Sequence, residues 1–215
     1  MKSERRSYND PCGIARALDV LGERWALLVV RELLLGPRRF GQLRDGLPGV
    51  SPNVLSQRLR ALEADGVVSR TDLEPPASVA VYELTERGQA LEPILLELGR
   101  WGSAVARVPD RELSPASMLI ALEAMFAPRT DAPATYGLHL AGEHYRVAIA
   151  DGRITVSRGR AADADATLDT DVATLRLISF LGTGVRAAES SGALTIGGDR
   201  RVAVRFPNYF RRPQL

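Results

Sequence analysis

The 215 residues carry 28 Lys and Arg against 26 Asp and Glu, a formal charge of +2, so overall charge argues for neither a nucleic-acid nor a membrane partner. One cysteine and two histidines exclude an intrachain disulfide and a cysteine-rich zinc centre, and no metal or cofactor is expected. With no apolar run of about 18 residues and no basic-then-apolar leader, the chain reads as a cytoplasmic protein of two domains, each of about 100 residues, without membrane contact.

Local charge says more than the total. Residues 1–110 hold equal numbers of basic and acidic side chains, whereas residues 36–60 hold Arg38, Arg39, Arg44, Arg58 and Arg60 against Asp45 alone. Such clustering is what attracts phosphate. Lys2 is the sole lysine, so arginine is simply the basic residue of this chain and each one carries less meaning singly.

In chain order, residues 14–21 and 24–35 place apolar side chains at helical spacing, and 40–47 form a shorter helix after the turn at Gly36-Pro37. Next comes the most informative stretch, Ser51 to Gly66. Ser51 can cap the first amides, Pro52 suits the first helical position, and Gly66 can take the left-handed conformation that ends a helix. At about 100° per residue, Val54, Leu55, Leu59 and Leu62 share one side, while Asn53, Ser56, Gln57 and Arg60 project from the other. Asn, Gln and Arg match purine edges bidentately in the major groove. Residues 67–71 and 79–84 read as a β-hairpin around a proline-rich loop at 73–78. This order of helices and hairpin predicts a winged helix-turn-helix, with Arg38, Arg39, Ser51, Arg58 and Arg70 placed against the DNA backbone.

Leu91, Ile94, Leu95, Leu98, Trp101 and Val105 then recur at three- and four-residue steps. They form an apolar stripe that either a second copy or the C-terminal half of the chain would cover. Pro93 kinks this helix or marks its start. Cys12 is open to two readings: a small residue packed at the head of the first helix, or a thiol whose pKa Lys2, Arg5, Arg6 and Arg16 lower.

The segments Ala17 to Leu28, with Gly22-Glu23-Arg24-Trp25 at their centre, Arg31 to Phe40, Leu47-Pro48-Gly49-Val50-Ser51, Leu55 to Leu59, Tyr82 to Thr85 and Trp101-Gly102 resemble the HxlR-type bacterial transcriptional regulators. The resemblance covers roughly residues 8–105 and implies a homodimeric winged-helix DNA-binding protein. It also implies a redox- or electrophile-sensing role for a cysteine at the place of Cys12.

Residues 107–115 are polar and hold two prolines, as a domain junction would. Ser114 and Pro115 open a helix through Met125. Strands are expected at 135–141, 145–150, 154–158 and 164–169, with turns at Gly142-Glu143 and Asp151-Gly152. That first turn would set His139 opposite Arg146, which argues against a metal there. Helices at 171–181 and 185–190, a strand at 194–196 and a helix from about 199 follow. The aspartates at 163, 165, 169 and 171 fall largely on the wet face of the sheet. Asp163 to Leu168, Asp171 to Leu175 and Gly192 to Asp199 resemble the sterol carrier protein superfamily, which implies an apolar tunnel for fatty-acyl or sterol-like molecules. Leu175, Leu177, Ile178, Phe180 and Leu181 are candidates to line such a pocket, or simply to form the core.

The expected fold class is α+β: a winged helix-turn-helix domain at 1–108 and a sterol-carrier-like α+β domain at 109–215. The expected function is a non-enzymatic, homodimeric transcriptional regulator that reads a palindromic site in double-stranded DNA with the helix at 52–65, its second domain either sensing an apolar small molecule or stabilising the dimer. The alternative is a lipid- or acyl-binding carrier whose winged domain serves as a dimerisation scaffold.

Overall fold

The computed structural model describes residues 7–72, 79–104, 113–128 and 132–211. The chain divides into two compact units at Glu92/Pro93. The expected proline-rich loop at 73–78, Val105 and most of the 107–115 junction lie outside the described residues.

The first unit begins with α1 (Gly13–Leu21) and α2 (Ala26–Leu33). Helix α2 starts later than periodicity suggests, because Trp25 takes φ +79° as its N-cap, and a bulky residue there ends any continuous helix. After Gly36 (φ +111°) come β1 (Arg38–Arg39) and α3 (Phe40–Gly46). A two-residue strand has no periodicity to betray it. Helix α4 (Pro52–Ala64) is followed by β2 (Val68–Asp72), β3 (Ala80–Leu84) and the short α5 (Glu86–Gln89). The antiparallel sheet runs β1-β3-β2, setting both Arg38 and Arg70 opposite Tyr82. Val29, Val30, Leu33, Leu43, Leu55, Leu59 and Leu62 are buried at its core, so α2, α3 and α4 are held by one apolar cluster.

The second unit contains α6 (Glu92–Ser103), with Pro93 in its first turn, where no amide hydrogen is needed. Helix α6 is tied within this unit by Arg100, which donates to the Ala124 carbonyl, and by Ser103 on Met125 Sδ at 3.7 Å. Ser114 caps α7 (Pro115–Ala124), its hydroxyl accepting from Ser117 N at 3.0 Å. The five-stranded sheet comprises β4 (Ala134–Leu140), β5 (Glu143–Ala150), β6 (Arg153–Arg158), β7 (Ala166–Thr170) and β8 (Leu194–Gly198), in the order β6-β5-β4-β7-β8. Only the β4–β7 pair is parallel.

Alternation sends Tyr136, Leu138, Tyr145, Val147, Ala166 and Leu168 to the dry face. Against this sheet unit pack α7, α9 (Val185–Ser190), α10 (Arg200–Arg205) and a 3-10 turn (Phe206–Tyr209), with α8 (Val172–Phe180) against α7 and that turn. Edge strand β6 is blunted internally, since the buried Glu123 carboxylate accepts from Val156 N at 3.1 Å.

One turn differs from expectation. Positive φ falls at Ala141 and Gly142, not Gly142 and Glu143, so His139 pairs with His144 and Arg146 faces Gly137. A two-residue hairpin turn that matches strand twist needs positive φ at both central positions, and a glycine in the second of them leaves Glu143 free to open β5. The Asp151-Gly152 turn forms as composition predicts. Each clustered aspartate has a structural partner: Asp163 pairs with Arg146, Asp165 accepts from Thr135 N, Asp169 meets His139 at 3.0 Å, and Asp171 caps α8.

Candidate nucleic-acid interface

Helix α4 is capped at both ends by its own sequence. Ser51 Oγ accepts from Val54 N at 3.3 Å. At the other end Val67 N bonds Leu62 O and Gly66 N bonds Glu63 O, with Gly66 at φ +68°, the paired arrangement that satisfies a helix's last carbonyls. Leu55, Leu59 and Leu62 are buried, while Asn53, Gln57 and Arg60 are exposed and Ser56 is half-buried. Arg60 Nε rests on Ser56 O at 3.3 Å, along the helix surface. The helix therefore presents amide and guanidinium groups from a surface whose reverse side is fixed in the core.

The basic residues divide by burial. Arg39 and Arg70 are exposed, Arg39 at the head of α3 and Arg70 on the wing strand β2. The Asp72 carboxylate, 3.2 Å away, raises the Arg70 pKa. That surface pair contributes little, so a phosphate can replace it at small cost. Arg38 and Arg58, expected at the DNA backbone, are only 7% and 8% exposed. Arg58 instead turns inward to Glu23 at 3.2 Å. A guanidinium so recessed is not presented to a phosphate, and these two placements are corrected: both face the protein. For Arg58, helical phase separates faces but cannot say which neighbour folds over a flank; Arg38 lies on a two-residue strand whose pairing with β3 has no local signal.

The apolar stripe is also redistributed. Leu91 lies in the turn before α6, Leu95 is buried, and Ile94, Leu98 and Trp101 are 56%, 45% and 71% exposed. Ile14 and Leu18 on α1 are exposed as well. Their four-residue spacing in a nine-residue helix is the sequence signal for this second apolar surface.

Cys12 is exposed at the N-cap of α1. Its pKa is lowered from the ordinary thiol value, the backbone amides of Ile14 and Ala15 in the first helical turn being the largest cause. The cause given by the structure is the helix terminus, and Lys2, Arg5 and Arg6, expected beside the thiol, lie outside the described residues. In the second unit Leu175 and Ile178 are buried and Phe180 is half-buried beside Phe210, but Leu177 and Leu181 point outward at 41% and 48% exposure. Those two do not line an interior pocket. The described residues contain no helix long and apolar enough to cross a membrane, and no group of three or more His, Cys, Asp or Glu able to hold a metal.

A core of α2, α3 and α4 with a β2–β3 wing beside it is a winged helix-turn-helix, with α4 as the second helix of the turn motif. The HxlR-like helix-turn-helix family matches residues 20–109. Over 89 residues the chain is 45% identical to the HTH-type transcriptional regulator YvaP of Bacillus subtilis, covering 41% of this chain and 82% of that protein. An HTH-type regulator of Synechocystis sp. is 44% identical over 43% of this chain and 68% of its own length. Among solved structures, the reduced form of YodB from B. subtilis is 32% identical, covering 46% of this chain and 98% of that one at a TM-score of 0.41. The chain belongs to the HxlR-like helix-turn-helix family of transcriptional regulators, which are DNA-binding proteins rather than enzymes. The sheet-rich second unit extends beyond the matched region.

Proposed function

We propose that this regulator acts as a homodimer on a two-fold symmetric DNA site, which it reads through Asn53, Ser56, Gln57 and Arg60. Arg39, Arg70 and the N-terminus of α4 at Ser51 contact the backbone. The observation that carries this reading is the division of α4, whose leucines are buried while its amide and guanidinium side chains stand in solvent. Ile94, Leu98 and Trp101 supply the self-complementary surface. The second unit, sterol-carrier-like in its motifs, accepts a fatty-acyl or similar apolar molecule among Leu175, Ile178 and Phe180. Helix α6 lies inside the family-matched stretch yet is tied to the second unit through Arg100, so it is suited to link ligand and dimer. Cys12, with its lowered pKa, is the reactive thiol of the scheme. The test is binding of the purified protein to the DNA upstream of its own coding region. Gln57→Ala or Arg60→Ala should cost about 1–3 kcal/mol on the specific site and less on random sequence. Equal losses on both DNAs would remove these residues from base reading.

A further inference from the structure

The chain has two histidines, and the β4–β5 hairpin brings both to one place on the wet face of the second unit's sheet. They are direct cross-strand partners, one pair in from the Ala141-Gly142 turn. The pair that closes a two-residue turn exchanges backbone hydrogen bonds, so the next pair does not, and its side chains stand closest together. Accordingly, the His144 carbonyl accepts from Gly159 N, away from β4. The two imidazoles stack with centroids 4.6 Å apart and planes inclined by 22°. The expected turn would have set a guanidinium opposite His139; the observed one sets a second imidazole there, while Arg146 pairs with Asp163. His139 Nδ1 lies 3.0 Å from the Asp169 carboxylate on the neighbouring strand β7. A carboxylate accepting at Nδ1 fixes the tautomer in which Nε2 is unprotonated, on the far side of the ring.

From this arrangement we infer that His139 and His144 chelate a late first-row divalent transition metal through one ring nitrogen each, with Asp169 orienting His139 from behind and water in the remaining positions. Burial, then Arg160 and then His139, lower the His144 pKa from the ordinary histidine value, so this ring is neutral near neutral pH and offers a lone pair. No hydrogen bond is among those causes, and the broad χ2 torsion of histidine lets the ring turn at little cost. Two nitrogens each ~2 Å from one ion at right angles stand ~3 Å apart, a separation that a small turn of His144 reaches from the observed stack. The His139 side chain is 37% exposed, so an ion enters from water. The charge around the rings decides the class of ion. Asp169 and Arg160 oppose each other and Arg146 is neutralised by Asp163, so the field is close to neutral. Mg²⁺ and Ca²⁺, held by charge and oxygen ligands, gain little there. Imidazole nitrogen suits Ni²⁺, Cu²⁺ and Zn²⁺, with affinity rising from Co²⁺ through Ni²⁺ to Cu²⁺. Asp169 stands behind the ring rather than as a third ligand, in keeping with the lack of three convergent ligands among the described residues. Two protein ligands make the ion exchangeable rather than structural, and its binding ties β4 to β5 beside their turn.

The full-length protein, without a histidine tag and with Cys12 alkylated so that its thiol cannot compete, is titrated calorimetrically with NiCl₂. One Ni²⁺ per chain is expected, with weaker binding of Co²⁺ and none of Mg²⁺. His139→Gln and His144→Gln should each lower Ni²⁺ affinity at least ten-fold while the metal-free thermal transition stays in place. Asp169→Asn should lower it about ten-fold, because the carboxylate acts through the tautomer and orientation of His139. With two histidines in the chain, nitrogen NMR of the rings identifies the ligands in the unaltered sequence. Zn²⁺ should shift both rings, moving His139 Nε2 and leaving its Nδ1 protonated. The inference is overturned by absence of saturable Ni²⁺ binding, by binding that survives both histidine substitutions, or by Zn²⁺ shifting one ring alone. One ion per two chains would also overturn it, because the ion would then lie between copies.

Discussion

At the scale of single residues, the division between presented and recessed arginines governs how DNA affinity should respond to salt. Arg39 and Arg70 are exposed, and each phosphate contact contributes about one unit to the slope of log affinity against log salt. The double variant Arg39→Ala/Arg70→Ala should therefore flatten that slope by about two units per protomer while leaving sequence preference intact. An unchanged slope would take both off the backbone. Cys12 supplies a pH prediction. The backbone amides of Ile14 and Ala15 favour the thiolate, so the lowered pKa makes the reactive form abundant at lower pH than in a free thiol, whose pKa is about 8.5. Alkylation rate plotted against pH should have its midpoint below that value. A midpoint at or above it would show that the helix terminus does not act on the sulfur.

Among the elements, α4 and α6 illustrate two kinds of amphipathic helix. Helix α4 buries one side completely, and its polar side is chemically specific. Helix α6 buries Leu95 but leaves Ile94, Leu98 and Trp101 in solvent, an apolar side that needs a partner. Replacing Leu98 and Trp101 by Asp should convert a dimer to a monomer in light scattering without loss of helix content. A dimer that survives both changes would move the interface elsewhere, with Ile14 and Leu18 on α1 the next surface to test. Leu95 is unsuitable for this purpose, because an aspartate at a buried position would report on folding instead.

For the whole molecule, the family match ends at residue 109 while the compact units divide at Glu92/Pro93. The family's characteristic stretch thus contributes its last helix to the second unit. If that unit holds an acyl chain, native mass spectrometry of the purified protein should reveal a bound apolar species, with affinity rising by about 0.8 kcal/mol per buried methylene. Phe180→Asn, at a half-buried position, should weaken it. A folded wild-type protein that neither retains nor binds fatty acids would leave the second unit as a structural element. Coupling to DNA further requires unequal affinity for DNA-competent and incompetent states, read as a change in DNA affinity on adding the ligand.

Much of the architecture was legible because its signals are local. Ser51, Pro52 and Gly66 mark the ends of α4 through backbone chemistry that acts within one helical turn, and leucine spacing identifies the face it buries. Asp151-Gly152 marks a hairpin for the same reason. The resemblance of residues 8–105 to a known family likewise required no coordinates. Tertiary structure alone decided what depends on distant neighbours. Glu23 and Arg58 are 35 positions apart, and only folding shows that they pair. The His139–His144 register turned on which two residues of a hairpin accept positive φ, an outcome of strand twist across the sheet. The division of the Leu175–Leu181 group into buried and exposed members was set by how α8 rolls against its neighbours. Helical spacing shows which residues share a face, but burial depends on what packs against it, and that is a property of the folded chain.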